Sequence, residues 1–265
     1  MRLYPAVEGT LRVVARVQGL QIAYAGLGNI PSRGGAVVAV NHTGYLDFLP
    51  MALAARGAQR RVRLMAKAEF ADNAVLGVLM RGCGVIPVDR SAGADSYAAA
   101  VTALRGGDLV AVYPESTISR SFELETFKSG AARMALDAGV PIVPMIVWGA
   151  QRIASKGVPR SIGRHRYPIA VGVGDPIPPI GDPRALTGTL RRAMRSVLDE
   201  VQSGFDHPAG APWVPARLGG SAPAPSCEDI RGTEHVDGSP GPGPGTMDGC
   251  AHPDPDSSPP MSTER

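Results

Sequence analysis

The sequence predicts an α/β fold: a mostly parallel central sheet flanked by helices, with an amphipathic N-terminal helix before it and a disordered C-terminal tail after it. Three observations carry that expectation. From residue 36 onward, short β-rich runs alternate with helix-length runs, the pattern of βαβ units. One run, Val140-Pro-Ile-Val-Pro-Met-Ile-Val-Trp-Gly149, is apolar along its length and belongs near the middle of a sheet covered on both faces. Beyond residue 205 the composition turns to Pro, Gly, Ser and Asp, as in Ser239-Pro-Gly-Pro-Gly-Pro-Gly245, which cannot bury enough apolar surface to fold.

Residues 2 to 24 place Leu3, Val7, Leu11, Val14 and Val17 or Gln18 at three- and four-residue steps, with Arg2, Arg12 and Arg16 largely elsewhere. That spacing predicts an amphipathic helix, whose apolar face either packs on the domain or lies in a membrane interface. Gly26-Leu-Gly28-Asn-Ile-Pro31 ends it; with no strand before it and no helix after it, this Gly-x-Gly is not a dinucleotide fingerprint. The elements expected next are strand 36–40, helix 47–56, strand 62–66, helix 70–80, strand 84–88, helix 94–105 and strand 109–113. Helix 127–138, strands 141–147 and 168–174, and helix 183–203 complete the domain. Three parts result: a membrane-associating helical segment over 1–30, a catalytic domain over 31–205, and the tail over 206–265. Within the tail, Trp213-Val-Pro-Ala-Arg-Leu218 is apolar enough to dock on the domain.

Composition narrows the function. A net charge of +3 with pI near 8.9 does not by itself indicate nucleic acid, and 5% aromatic residues offer no stacking platform for single strands. A weakly basic surface suits anionic lipid or a phosphorylated substrate. Cys83, Cys227 and Cys250 lack metal-like spacing and form no disulfide framework, which points to a reducing compartment. No apolar stretch reaches the length of about 18 residues that a spanning helix needs, and no signal-peptide pattern is present. The expectation is a peripheral protein on the cytoplasmic face of a membrane.

Chemistry is expected where strands end, because sites in such sheets form at the carboxyl ends of strands. The first such stretch is Asn41-His-Thr-Gly-Tyr-Leu-Asp47. Five positions along a regular helix turn a side chain through about 500°, so His42 and Asp47 meet only if the chain folds back between them, as Thr43-Gly44 permits. Asp47 then either holds one imidazole nitrogen, leaving the other to take a proton, or merely caps the helix that follows. Two further strand ends carry reactive side chains: Gly84-Val-Ile-Pro-Val-Asp89-Arg90, and Tyr113-Pro-Glu-Ser-Thr-Ile-Ser-Arg120 with Phe127-Lys-Ser-Gly130 behind it.

In order and spacing these blocks resemble the lysophosphatidic acid acyltransferase family of glycerolipid acyltransferases. Asn41, His42 and Asp47 match its Asn-His-x4-Asp motif, residues 86–90 its Ile-Pro-Val-Asp-Arg block, and residues 142–144 its Ile-Val-Pro strand. Its Phe-Pro-Glu-Gly-Thr-Arg-Ser-Arg block is matched by Pro114, Glu115, Thr117, Ser119 and Arg120, with Tyr113 in the Phe place. The resemblance covers roughly residues 30–180, and two positions depart from it: Ser116 stands for Gly, and Ile118 for Arg.

The resemblance implies transfer of a fatty acyl group from acyl-CoA or acyl carrier protein to a hydroxyl of a lysoglycerophospholipid, with 1-acylglycerol-3-phosphate the first acceptor to consider. His42 would be the general base, oriented by Asp47, and no cofactor or metal is implied. Asn41, Lys67, Arg90, Glu115, Ser116, Thr117 and Arg120 are the expected substrate-binding residues, Glu115 toward the acceptor's glycerol and the cations toward its anionic groups. With Ile118 in the arginine place, Arg120, Arg90 or Lys67 supplies that charge, or the acceptor differs. Two other classes stay in view: a non-catalytic lipid-binding relative, suggested by Ser116 and Ile118, and a metal hydrolase, for which His42 lacks a second histidine at ligand spacing.

Overall fold

The computed structural model describes residues 3–89, 93–161 and 163–225. Its strands are β1 (Gln21–Ala25), β2 (Ala36–Val40), β3 (Val62–Lys67), β4 (Ile86–Val88), β5 (Leu109–Val112), β6 (Ile142–Trp148) and β7 (Pro168–Val173). They form a seven-stranded sheet in the order β1-β7-β6-β2-β5-β3-β4. The β6–β7 pairing is antiparallel and all the others are parallel. The middle strands are apolar because helices cover both faces: every residue of β2 and of β6 is buried. Helices α4 (Gly93–Arg105), α5 (Gly130–Ala138) and α6 (Pro183–Ser203) cover one face, and α2 (Phe48–Gly57) packs on the other with α1 (Tyr4–Gln18) and α3 (Ala74–Cys83) beside it.

Three boundaries differ from the sequence expectation. The N-terminal helix stops at Gln18, capped by Gly19 in the left-handed region at φ 70°, and residues 21–25 are an edge strand. Strand β1 is largely exposed, so its residues carry no clear strand periodicity, and the Gly-x-Gly after it does follow a strand but leads only into a short 3-10 turn. Residues 68–72, expected partly as helix, form a 3-10 turn; α3 starts only at Ala74, where the Asn73 side chain accepts from the Val75 and Leu76 N–H groups.

The tail is the third difference, because residues 206–225 fold onto the domain. Trp213, Val214 and Ala222 are buried in the core beneath α6. The Arg152 guanidinium lies over the rings of Tyr167, Phe205 and Trp213, and Trp148 Nε1–H donates to His207 Nε2 at 3.2 Å. Sparse aromatic anchors thus hold a Pro/Gly-rich chain in place. Residues 226–265 lie outside the described residues.

On α1 the expected apolar face divides. Tyr4 and Ala15 are buried and Val7 and Leu11 half-buried, while Val14 and Val17 are exposed together with Val13. Buried Glu8 is matched by Arg56 at 2.7 Å and Arg12 at 3.2 Å. No helix among the described residues is long and apolar enough to cross a membrane.

Candidate active site

The site is assembled by the loops leaving β2, β5 and β6 at their carboxyl ends. Asn41 follows β2 directly, and its buried side chain donates to the Val147 carbonyl at 3.0 Å and accepts from the Val147 N–H at 2.7 Å. It prolongs the β2–β6 ladder by side chain where the backbone turns away. Asn41 therefore fixes the start of the loop and is not presented to a substrate.

The next residues reverse direction so that Asp47 reaches His42. Asp47 stands at the N-cap position of α2 but does not cap it. Its carboxylate turns back instead, and one oxygen, Oδ2, meets His42 Nδ1 at 3.2 Å and the Thr43 and Gly44 N–H groups at 2.8 Å each. Gly44 is required by close approach, since a Cβ there would sit 2.9 Å from the Ala154 carbonyl oxygen. Burial pushes the Asp47 carboxyl above its ordinary range, while its bonds to His42, Gly44 and Thr43 pull it back. The imidazole is clamped on its other side by Tyr113, whose ring stacks on it at 4.0 Å between centroids and 21° between planes. With Nδ1 engaged, Nε2 is the nitrogen left to take a proton, and the side chain is 21% exposed.

Glu115 lies behind this pair rather than in front of it. Its Oε1 accepts the His42 N–H at 3.0 Å and its Oε2 the Glu125 N–H at 3.1 Å. Burial raises its pKa to about 8 in spite of those two donors, with the Glu125 and Asp47 charges adding to the rise. Glu115 thereby ties the His42 loop to the loop after β5. Ser119 N–H donating to the His42 carbonyl at 2.8 Å is a second tie between the same loops.

The remaining expected residues are spread around this centre. Ser116 occupies the family's glycine place with φ 61°, the left-handed region that glycine adopts without strain. Thr117 is exposed and accepts from Lys156 Nζ at 2.7 Å. Ile118, in the arginine place, is buried at 6% exposure, so it presents nothing to solvent. Arg120 is exposed, and Lys67 ends β3 with its ammonium 3.9 Å from Glu69. Arg90 lies outside the described residues. No cluster of three potential metal ligands occurs among the described residues. Sequence reasoning missed Tyr113 as a clamp and the whole 149–161 loop; the only available signal was the aromatic residue at a strand end two positions before Glu115.

An apolar groove of about 410 Å³ lies between β3 and helices α1, α2 and α3. Val62, Leu64 and Ala66, alternate residues on one face of β3, line it together with Leu76 and Leu79 of α3 and with Phe48, the residue after Asp47. Tyr4 and Cys83 also line it.

Comparison with known proteins agrees with this geometry. A family model described as Acyltransferase matches residues 21–148, which contain His42, Asp47 and Glu115. A curated 1-acyl-sn-glycerol-3-phosphate acyltransferase of Bacillus subtilis is 28% identical over 148 residues, covering 56% of this chain and 72% of the relative. The 1-acyl-sn-glycerol-3-phosphate acyltransferase alpha of Bos taurus is 30% identical over 194 residues, 70% of this chain and 65% of that one. The crystal structure of the 1-acyl-sn-glycerophosphate (LPA) acyltransferase of Thermotoga maritima shares the fold, with a TM-score of 0.57 at 18% identity over 78% of this chain and 85% of that chain. The protein is an acyltransferase by these criteria. Together these comparisons support the lysophosphatidic acid acyltransferase family.

Proposed function

We propose that the protein transfers a fatty acyl group from a thioester donor, acyl-CoA or acyl carrier protein, to the free hydroxyl of 1-acylglycerol-3-phosphate, giving phosphatidate. The observation that carries this reading is the His42–Asp47 pair, held from behind by Glu115 and from the side by Tyr113. His42 Nε2 takes the proton of the acceptor hydroxyl as its oxygen attacks the thioester carbonyl. The C–S bond then breaks, and the thiolate leaves with the proton returned by the imidazolium. Asp47 keeps Nδ1 protonated and stabilises the positive ring while the proton is in transit. No acyl-enzyme is needed, because the acceptor oxygen is itself the nucleophile.

The groove along β3 supports a fatty chain as the donor's acyl group, since its lining is largely apolar and includes Phe48, the residue after Asp47. The exposed apolar residues of α1 and α3, Val13, Val14, Val17, Val75, Leu76 and Val78, support peripheral attachment to a lipid surface, which sedimentation with anionic vesicles tests. Protein that stays in the supernatant would argue against that attachment.

The reaction is tested by thiol release from palmitoyl-CoA or oleoyl-CoA with lysophosphatidate, lysophosphatidylinositol, other lysophospholipids and glycerol phosphate as acceptors. Turnover with lysophosphatidate is the expected result. Turnover with another acceptor alone would keep the mechanism and change the substrate. Folded protein silent on all of them, with acyl carrier protein also tried as donor, would mark a non-catalytic lipid-binding relative.

A further inference from the structure

We infer that Lys156, with Thr117 beside it, receives the phosphate monoester of the acceptor, in the role for which Ile118 leaves no charge; the inference rests on the proposed reaction. The loop after β6 is fastened to the catalytic loop at consecutive residues. Tyr45 N–H donates to the Ala154 carbonyl at 2.9 Å, and the Ser155 hydroxyl donates to the Thr43 carbonyl. Gly44 gives the two loops the room to meet. Lys156, the next residue, is thereby fixed beside the His42–Asp47 turn and reaches across to the loop after β5, where its ammonium donates to Thr117 Oγ1 at 2.7 Å.

The chemistry of this contact is that of a cation awaiting an anion. Some basic side chains meet carboxylates, as Arg195 and Arg217 do at Glu123 and Arg56 at Glu8, and others, such as Arg60 and Arg105, donate to backbone carbonyls. Among the described residues, Lys156 pairs with no carboxylate, and its partner is a neutral hydroxyl. An ammonium has three donors, so two remain for phosphate oxygens, and Thr117, accepting from Lys156, keeps its own O–H to donate as a third. Lys156 also lies beyond residues 21–148, the part matched by the family model.

The test compares Lys156→Ala and Lys156→Arg with wild type, using lysophosphatidate and the phosphate-free acceptor monoacylglycerol. Lys156→Ala is expected to raise KM for lysophosphatidate about ten- to a hundredfold, the usual worth of a charged hydrogen bond, with kcat little changed. Lys156→Arg should recover most of that loss, and KM for monoacylglycerol should not move. Calorimetric binding of short-chain lysophosphatidate to the same variants gives the same comparison without turnover. Unchanged affinity in Lys156→Ala, or an equal loss for both acceptors, would overturn the assignment while leaving the reaction intact. A folded wild type that neither binds nor acylates lysophosphatidate would overturn the proposed acceptor, and the role of Lys156 with it.

Discussion

Replacing Asp47 with Asn separates the charge of the carboxylate from its shape. All three hydrogen bonds to the Asp47 carboxylate end on Oδ2, and Oδ1 is buried with no hydrogen-bond partner among the described residues. An asparagine whose carbonyl oxygen takes the Oδ2 position can still accept from the Thr43 and Gly44 N–H groups and from Nδ1–H, so the loop should keep its path. The stability cost is then that of a buried amide with unmet donors, offset by relief from burying a charge, and should stay within about 2 kcal/mol. What the substitution removes is the negative charge facing the imidazolium of the transition state. In the better-known Ser-His-Asp arrangement the same exchange costs about 10⁴ in kcat, there through the wrong imidazole tautomer. Here the Thr43 and Gly44 N–H groups hold the amide carbonyl toward the ring and keep the tautomer, so a smaller loss is expected, about 10²- to 10³-fold in kcat with KM nearly unchanged, read by thiol release and by a thermal melt. Asp47→Ala should differ, since it strands two buried N–H groups at about 1–3 kcal/mol each. If Asp47→Asn kept a tenth or more of wild-type kcat, the assignment of a charge role to Asp47 would be wrong.

Other expectations follow from the same geometry. Glu115 has a folded-state pKa of about 8, above the ordinary 4.5, so between those values the folded chain holds a proton that the unfolded chain has released. Its contribution to stability is therefore greatest below about pH 4.5 and falls as pH rises toward 8; Glu115→Gln should flatten that slope in melting temperature, and parallel slopes would refute it. Ser116→Gly should raise stability by up to about 1 kcal/mol, because relief of the left-handed strain exceeds the added entropy of glycine in the unfolded chain; an unchanged or lower denaturation midpoint would contradict this. Filling the groove with Cys83→Phe should shift preference from palmitoyl toward shorter acyl-CoA donors by about tenfold in relative kcat/KM, whereas an unaltered chain-length profile would place the acyl chain elsewhere.

Much of this architecture could be read from the residues because burial on both faces leaves a plain record. The run Ala36–Val40 and the run ending at Trp148 have no polar side to mislead, and both are central strands. The edge strand β1 left no such record: its exposed residues obey no core, and only the turn at Gly19 separates it from α1. The His42–Asp47 pairing was legible as one of two alternatives, and the carboxylate's turn away from the helix end decides between them. Asn41 and Glu115 were legible as positions but not in the partners that hold them. Their partners, Val147 and Glu125, are set by which loops the sheet brings together, and spacing cannot encode that. Lys156 was illegible for the same reason, being 39 residues from the Thr117 hydroxyl it touches.

The most direct test of the central claim is thiol release from palmitoyl-CoA with lysophosphatidate, comparing wild type with His42→Ala. His42 touches its neighbours chiefly through its ring face and Nδ1, so the alanine variant should fold, as circular dichroism and melting temperature would verify. Loss of about 10²- to 10⁴-fold in kcat, the usual share of a general base, is the predicted result. A folded His42→Ala protein that releases thiol at the wild-type rate would contradict the account.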